Sequence, residues 1–542
     1  MKSKSILIIV LLCCGLFLPF LGSVHLFDWD EINFAECARE MMLSHNYSTV
    51  TIDFLPFWEK PPLFIWMQVF SMKIFGVSAF AGRFPNVIAA ILTALFVYFA
   101  GKKIKNEALG LWWTVFYLGS FLPNVYFHSG IIDPWFNLLI VGALYFFYFA
   151  ATSNNPSFYY LIGGISLGLA MLTKGPVALL IVGSVVGLYW LLSRFKKLPK
   201  IKHLIIFSLA ALSIGGLWFL MLDATGNRQV IEEFIAYQVR LFQTKDAGHG
   251  GPIYYHVLFL LLGCFPASFF FIAYQIQRRK MEKNSFDLWM QILFWFTLIL
   301  FSLVSTKIIH YSSLCYFPIS YLAARFFEET LENKLKNIFI KITQVYLLLM
   351  GFLLLLLPYL MQNKEVLLNS IKINDPFALA NLKANVIWDS YSFIPGLIII
   401  LGTMISFLYL RKENLKSSLL SISCTIAIGI LALQAFILPK VEQFTQGAAI
   451  RYFESFSKQD VYLIPLGYKS YAHLFYGQTK KHTNIKRFDE AWLCNGSADK
   501  NVVLISKITT KHNYLSAYPL LKVLKEENGF VFYQVIPKNL KK

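Results

Sequence analysis

Long apolar runs constrain this chain more than any other feature. Thirteen of them approach the roughly 20 residues that a helix needs to cross the hydrocarbon core of a bilayer. The alternating pattern of a membrane β-barrel is missing, and lipid leaves helices as the other way to satisfy the backbone. Only 15% of the 542 residues are charged, against about 25% in an average soluble domain. The sequence therefore predicts an α-helical polytopic membrane protein, with about 13 transmembrane helices near residues 6–26, 84–101, 109–127, 131–151, 158–172, 175–193, 203–222, 254–275, 288–305, 311–327, 339–361, 393–410 and 418–438.

Lysine and arginine set the predicted orientation. They are concentrated in alternate loops, which the positive-inside rule assigns to the cytoplasm together with the N-terminus. The apolar stretch 63–75 is too short to cross, and a crossing there would turn the basic loops outward. We therefore expect it to be an amphipathic helix at the interface. The first run is expected to be a retained helix, because no small-residue cleavage site follows it.

The last hundred residues differ from the rest of the chain. Residues 439–542 have mixed polarity and contain short β-like runs near 461–465, 502–506 and 530–536. They predict a small soluble α/β domain outside the cytoplasm, after a transmembrane domain at 1–438 whose external loop 27–83 carries the site. The formal net charge of +19 divides mainly between cytoplasmic loops and this segment, so we expect no nucleic-acid partner.

The first external loop opens with Asp28-Trp29-Asp30-Glu31 and continues with Glu36 and Arg39. The pattern predicts a helix that begins at Asp30. Asp30 could be an N-cap above a Glu36–Arg39 pair at i,i+3 spacing. It could also be a partly desolvated carboxylate at the membrane surface that accepts a proton from a substrate.

A second motif, Trp58-Glu59-Lys60-Pro61-Pro62, lies shortly before the predicted interfacial helix. The two prolines stiffen the turn that presents Glu59 and Lys60. Local ion pairing and snorkelling would explain these charges. The alternative is a phosphate-binding lysine beside a carboxylate that orients it or holds a metal.

Together the two motifs resemble the first external loop of the aminoarabinose (lipid A) transferases and of the wider protein-O-mannosyltransferase-like group, membrane glycosyltransferases of the GT-C fold. Asn33 and Phe34 replace the usual Arg-Tyr pair of that loop. The resemblance extends in order over about residues 5–330. It is carried by Asp30, Glu31, Ala35, Glu36, Arg39, Glu40, Met41, Glu59–Leu63, Asp133, Leu172–Pro176, Arg240–Phe242, His249, Pro252–Tyr255 and Ser305–Tyr311.

The resemblance implies an inverting glycosyltransferase of the bacterial inner membrane, multi-pass and expected to be a monomer among membrane lipids. It would move a sugar from a polyprenyl-phosphate donor to a hydroxyl or phosphate of lipid A, a protein or another envelope glycan on the periplasmic side. A divalent ion (Zn, Mg or Mn) is an option, and no other cofactor is expected. The implied roles are catalysis by Asp30 and Asp133; donor phosphate binding by Lys60, Arg240, Lys307, His310 and Tyr311; support by Glu31, Glu36, Arg39 and Lys174; and metal binding by Glu59 and His249.

Structural explanations remain open for several of these residues. Asp133 precedes Pro134 and could cap a helix, Lys174 could end a short span, and His249 lies in a glycine-rich loop. A transporter or flippase of lipid-linked or anionic solutes is the alternative function, and a membrane scaffold is a third. A transporter is expected to carry ionisable groups near the middle of its spans, whereas here they cluster in loops.

Overall fold

The computed structural model describes residues 2–196, 198–243, 250–278, 285–329, 333–370 and 372–535. Within these ranges, seven helices are long and apolar enough to cross a membrane, and two bent helix pairs raise the number to nine. The seven are Ala79–Ile104, Asp133–Ala150, Pro156–Lys174, Ser285–Leu303, Lys334–Gln362, Ser390–Arg411 and Leu415–Phe444. The bent pairs are Ile201–Gly215 with Leu217–Ala224, at 42°, and Tyr255–Gly263 with Ala267–Gln277, at 105°.

Shorter helices account for the other predicted crossings. Four such helices lie within or across predicted spans: Lys2–Phe17, Glu107–Leu118, Val177–Leu192 and Tyr316–Glu328. Each of the thirteen apolar runs therefore coincides with a helix. The helical membrane fold is thus confirmed, while the count of thirteen stays a prediction. The remaining helices of the first 438 residues are Asp30–Ser44, Leu63–Phe75, Phe121–Val125, Arg228–Gln243, Lys364–Ser370 and Pro376–Lys383, with 3-10 turns at Tyr126–His128, Ile309–Cys315 and Ser390–Phe393.

Local chemistry explains where key helices start and stop. Asn155 caps Pro156–Lys174 by accepting a hydrogen bond from the Phe158 backbone N–H, and the ring of Pro156 suits the first helical turn. The same helix ends at Gly175, whose φ of 86° is in the region that glycine adopts readily. The glycine therefore leaves Lys174 as the last helical residue, at the mouth of the bundle.

The helix Asp30–Ser44, here called the acidic helix, begins where the sequence predicts. Its N-cap is Trp29 and no side chain caps it, so Asp30 is a first-turn residue and the N-cap interpretation is wrong. The residues from Glu31 to Met41 are all buried. An acidic helix buried along this length must satisfy its charges internally, because buried charges are costly unless they are paired.

The C-terminal segment contains a four-stranded sheet. Its order is Tyr462–Leu466, Val502–Lys507, Phe530–Val535, Leu521–Glu527; the first pair is parallel and the others are antiparallel. Short helices Leu438–Phe444, Gly447–Glu454, Ala472–Gly477, Glu490–Cys494 and Lys511–Ala517 accompany it. Asn528 and Gly529, both with positive φ, form the two-residue turn that such a hairpin prefers.

The three strands that the sequence predicts are present, and the edge strand Leu521–Glu527 was missed. It carries Lys522, Lys525, Glu526 and Glu527, and such charges on an exposed edge hide the apolar alternation while discouraging edge-to-edge pairing. That residues 439–542 form a separate domain remains a prediction.

This C-terminal segment shares a hydrophobic core with the acidic helix. Ala35, Met41 and Ile65 pack in one buried cluster with Phe475 and Phe532. Arg39 also donates a hydrogen bond to the Thr479 carbonyl at 3.0 Å. The loop 27–83 and the C-terminal segment therefore stabilise each other.

Candidate functional site

A polar cavity of about 610 Å³ lies above the apolar bundle. Its walls include the start of the acidic helix, the Glu59-Lys60 turn, the adjoining ends of the helices Asp133–Ala150 and Pro156–Lys174, and the 3-10 turn Ile309–Cys315. The sequence-predicted residues that line it are Asp30, Glu31, Glu59, Lys60, Asp133, Lys174, His310 and Tyr311.

The cavity floor brings two carboxylates and two basic groups together. His310 Nε2 lies 3.3 Å from Asp30 Oδ2 and 3.8 Å from Asp133 Oδ2. Lys174 Nζ lies 2.6 Å from Asp133 Oδ1. Asp133 is the first residue of one span and Lys174 the last residue of the next, so the pairing of these two helices places their ends side by side.

Asp30 is held in its ionised form. Burial opposes its charge, but the hydrogen bond and charge of His310, with the charges of Lys60 and Lys174, outweigh that cost and place the pKa of Asp30 below its usual value. The side chain is surrounded by protein yet 30% exposed to the cavity. A carboxylate that is charged, fixed and open to a ligand suits proton transfer or cation binding.

Asp133 keeps an unused acceptor. Its Oδ2 is buried and, within the described residues, makes no hydrogen bond, although its other oxygen is bound to Lys174. A buried polar atom without a partner is costly. This oxygen lies 3.8 Å from His310 Nε2, so its charge is balanced by His310 while its hydrogen-bonding capacity is left unused.

The Glu59-Lys60 turn faces the helix Arg228–Gln243. Tyr237 donates a hydrogen bond to Glu59 Oε2 at 3.2 Å, and the Lys60 ammonium lies 5.2 Å from the centre of the Tyr237 ring. The Arg240 guanidinium lies 5.1 Å from the same ring. Arg240 does not line the cavity; it contacts the Tyr237 ring that Lys60 also contacts.

Lys307 lies apart from the lining. Its ammonium donates to the carbonyls of Phe301, Ser302 and Val304 at 3.1, 2.6 and 2.5 Å, and the residue is 6% exposed. These carbonyls end the helix Ser285–Leu303, where a cation is stabilised by the helix dipole. The structure thus gives Lys307 a helix-capping position outside the cavity lining, and its expected phosphate contact stays a prediction. Tyr311 lines the cavity, with the Lys174 ammonium 5.0 Å from its ring centre.

Other charged residues of the acidic helix form ion pairs that hold the helix in position. Arg83 donates to both oxygens of Glu31 at 2.9 and 2.8 Å, and Glu31 also accepts the Gly130 N–H at 2.5 Å. These partners hold the pKa of Glu31 below its usual value despite burial. Arg39 makes two 2.7 Å bonds to Glu36, so the predicted i,i+3 pair exists, away from the cavity.

Sequence reasoning missed the residues that the C-terminal segment adds. Ser470 donates a 2.5 Å hydrogen bond to Asp28, which lines the cavity beside Trp29. The Lys469 ammonium lies 4.7 Å from the Trp29 ring, and the Tyr471 ring lies 5.8 Å from it. Burial raises the pKa of Asp28 to about 6. A contact between residues 442 positions apart has no local sequence signal.

Only one of the two expected metal ligands, Glu59, lies within the described residues. Within them, no group of three or more His, Cys, Asp or Glu side chains is arranged to hold a metal ion. Glu59 is bound by Tyr237, and His249 lies outside the described residues. No catalytic step is therefore assigned to a metal.

An apolar groove of about 660 Å³ adjoins the polar cavity. The two share Leu122 and Ile309, and the groove continues between spans along Phe259, Met350 and Leu433. Its lining is almost wholly apolar. A ligand with a charged head and a long hydrocarbon tail could therefore occupy both spaces at once.

Comparison with known proteins agrees with this geometry. The family described as dolichyl-phosphate-mannose-protein mannosyltransferase matches residues 59–218. A crystal structure of ArnT from Cupriavidus metallidurans bound to undecaprenyl phosphate superimposes with a TM-score of 0.78 at 16% identity, over 99% of both chains. The predicted resemblance is confirmed. The chain has the GT-C fold of this group, and at that identity the superposition speaks for fold alone.

Several sequence relatives carry the same name. Proteins called undecaprenyl phosphate-α-4-amino-4-deoxy-L-arabinose arabinosyl transferase are 26% identical over 339 residues in Wigglesworthia glossinidia brevipalpis and 28% identical over 336 residues in Proteus mirabilis. The match covers 60% of this chain and 59% or 60% of those relatives. It thus spans about three fifths of their length.

Proposed function

We propose that the protein is an inverting glycosyltransferase that moves a sugar from a polyprenyl-phosphate donor to an acceptor on the external, periplasmic side of the bacterial inner membrane. The observation that carries the proposal is the ionised Asp30 in a cavity that also holds Lys60, Lys174 and His310 and opens into an apolar groove. The names of the sequence relatives support an amino sugar as donor and undecaprenyl phosphate as its carrier.

Asp30 is the proposed base. An acceptor hydroxyl in the cavity would give its proton to Asp30 while its oxygen attacks the anomeric carbon and the sugar–phosphate bond breaks. General-base catalysis of this kind contributes about 10²–10⁴-fold. The phosphate leaves as an anion and needs no proton, so one carboxylate suffices where glycosidases use two.

Lys60 and Lys174, with His310, are the proposed phosphate partners. Fixed cations in a cavity shielded from water stabilise the negative charge that grows on the leaving phosphate. Lys174 was expected only as support, but its ammonium lines the cavity. Arg240 would influence Lys60 only indirectly, because both cations contact the Tyr237 ring.

Asp133 is the proposed sugar-orienting residue. Its Oδ2 is buried at the cavity floor, 3.8 Å from His310 Nε2, and makes no hydrogen bond within the described residues; a donor that displaces His310 could give it a bond from an amino or hydroxyl group of the sugar. An amino sugar would gain a charge-assisted bond there, which is in line with the relatives' names.

The apolar groove is the proposed seat of the polyprenyl tail. Because it meets the cavity at Leu122 and Ile309, a donor would lie with its phosphate among the cations and its tail between spans. A cytoplasmic N-terminus and an external C-terminal domain belong to the same proposal and rest on the loop charges. The monomeric state rests on the resemblance.

A transporter is the weaker candidate. In the described spans, the buried ion pair of Asp287 and Arg325 lies near the ends of the helices Ser285–Leu303 and Tyr316–Glu328, whereas transport sites lie near the middle. The cavity that does hold several ionisable groups lies in the external loops.

The test is reconstitution in nanodiscs with an undecaprenyl-phosphate-linked amino sugar and lipid A, followed by mass spectrometry of the product. We expect product from the wild type, and Lys60→Ala should weaken binding of undecaprenyl phosphate about tenfold, as loss of a charged contact does. Leu524→Ala, a substitution at an exposed position far from the cavity, is the control. Donor flux across liposomes without any transferred sugar would establish the transporter instead.

A further inference from the structure

A second chamber of about 690 Å³ lies on the far side of Glu59 from the reaction cavity. The chambers share Glu59, which lines both. The walls of the second one come from the hairpin Thr51–Pro56, the first turns of Arg228–Gln243, and Lys469, Tyr471 and Phe488 of the C-terminal segment. Nothing in the proposed donor site uses this space.

The lining combines aromatic faces with charged and polar groups. Trp58 is 37% exposed and Phe488 54% exposed, although both are large apolar side chains. Glu59, Glu233 and Lys469 supply charges, and Asn227 an amide. Exposed aromatic faces beside carboxylates suit a saccharide, whose C–H faces pack on rings while its hydroxyls donate to the acids.

The chamber is preorganised by contacts between its walls. Arg487 forms an ion pair with Asp53, donates to the Asp53 carbonyl at 2.9 Å, and lies 4.2 Å from the centre of the Phe488 ring. The hairpin tip places both Asp53 and Phe54 at positive φ, which is uncommon for a bulky residue. Buried Glu40 holds this tip by accepting the Phe54 N–H at 2.9 Å. Strained backbone held by its surroundings is frequent at ligand sites.

The position of the chamber matches the second substrate. The donor tail is proposed to leave the reaction cavity through Leu122 and Ile309, so an acceptor has to approach from another side. The second chamber adjoins the reaction cavity at Glu59, and Lys60 and Asp30 belong to the lining of that cavity. A saccharide seated there could extend one hydroxyl or phosphate toward Asp30.

We propose that this chamber binds the saccharide part of the acceptor, so that the C-terminal segment takes part in acceptor recognition through Lys469, Tyr471 and Phe488. This inference rests on the proposed glycosyl transfer. Lys469 can in addition meet a phosphate on the saccharide, because its ammonium lies at the rim where Trp29 and Tyr471 face each other.

The experiment uses full-length protein in nanodiscs with the variants Phe488→Ala and Trp58→Ala, which come from different walls. We expect each to raise the KM for lipid A about threefold to tenfold, the worth of an aromatic contact, with undecaprenyl phosphate binding unchanged. In native mass spectrometry, both should also weaken binding of the phosphorylated glucosamine disaccharide of lipid A. Leu524→Ala, with similar exposure in the same segment, should match the wild type in both assays.

The outcomes separate the two proposals. An active enzyme whose Phe488→Ala and Trp58→Ala variants keep the wild-type KM and disaccharide affinity overturns the chamber and leaves glycosyl transfer standing. A wild type that binds the disaccharide, with binding lost in the variants, but transfers no sugar overturns glycosyl transfer and leaves the chamber as a saccharide site. Competition by a serine-containing peptide in place of the disaccharide would show a protein acceptor and overturn the saccharide assignment.

Discussion

Two acid–base clusters in this protein both pair aspartate with basic side chains, and they differ in how completely the aspartates are bonded. In the cavity, Asp30 and Asp133 meet Lys174 and His310. In the second cluster, near the ends of the helices Ser285–Leu303 and Tyr316–Glu328, Asp287 lies 3.1 Å from Arg325 and accepts hydrogen bonds from the Tyr321 and Tyr274 hydroxyls at 2.7 and 3.2 Å. The first cluster borders a cavity of about 610 Å³. The second is closed to solvent at Arg325, whose side chain is 0% exposed.

The difference lies in acceptor capacity. Both oxygens of Asp287 are used by its neighbours, while Asp133 keeps a buried oxygen that has no hydrogen bond within the described chain. A saturated buried network fixes a fold. An unsaturated one beside a cavity costs stability, and a ligand that completed it would recover that cost. Residue type alone does not separate the two clusters.

The sharpest test of the comparison exchanges one carboxylate in each cluster. We expect Asp30→Asn to lower sugar transfer by about 10²–10⁴-fold, because the amide cannot take the acceptor proton, with thermal unfolding close to wild type. Asp287→Asn should leave the turnover of the folded fraction largely intact. Equal losses of turnover per folded molecule would show that both clusters serve the reaction, or neither does.

Stability should respond in the opposite way. Arg325→Met leaves the Asp287 charge buried without its main partner, and breaking such a pair costs about 3–5 kcal/mol. Thermal unfolding in detergent should show this loss. The double variant Asp287→Asn with Arg325→Met is the matched control and should regain much of it. An unfolding temperature unchanged in Arg325→Met would contradict a structural role for the saturated cluster.

The pH dependence of transfer tests the electrostatics of the cavity. Because His310, Lys60 and Lys174 hold the pKa of Asp30 below its usual value against the cost of burial, the base stays ionised, and activity persists, as pH falls to the ordinary aspartate range. His310→Gln removes a hydrogen bond and a charge while burial remains, so the pKa of Asp30 rises and the acid limb of the kcat profile moves to higher pH. If the acid limb of the kcat profile lies at the same pH in wild type and variant, His310 does not lower the pKa of Asp30.

The smallest effect is expected at the contact between the C-terminal segment and Asp28. Burial raises the pKa of Asp28 to about 6, and the Ser470 hydrogen bond opposes that rise. Ser470→Ala should therefore favour the neutral carboxyl and loosen the residue two positions before the base. We expect kcat to fall roughly twofold to fivefold, about the worth of one hydrogen bond, with donor affinity unchanged. Ser470→Thr, which keeps the hydroxyl, should restore it; a Thr variant as impaired as Ala would point to packing instead.

Much of the fold was readable from local patterns. The helix start at Asp30 and the short helix Leu63–Phe75 appear where the sequence predicts them, because acid placement and apolar periodicity are local properties. Asp287 was missed as a buried partner of Arg325, since the predicted span began one residue after it. The phosphate contact expected of Lys307 stays a prediction, and its position at a helix end could not be foreseen, because its partners are backbone carbonyls, which no sequence pattern reveals.

The sequence by itself determined a helical membrane protein, the order of the loop motifs, and many of the ionisable side chains that line the cavity, because hydropathy and motif order need no knowledge of long-range contacts. Only the tertiary structure decided which of those side chains meet. It paired Asp133 with Lys174 and His310, moved Lys307 to a helix end, and set Ser470 against Asp28. Such pairings depend on how distant helices pack, and the energy of a buried charge depends on the neighbours that packing brings to it.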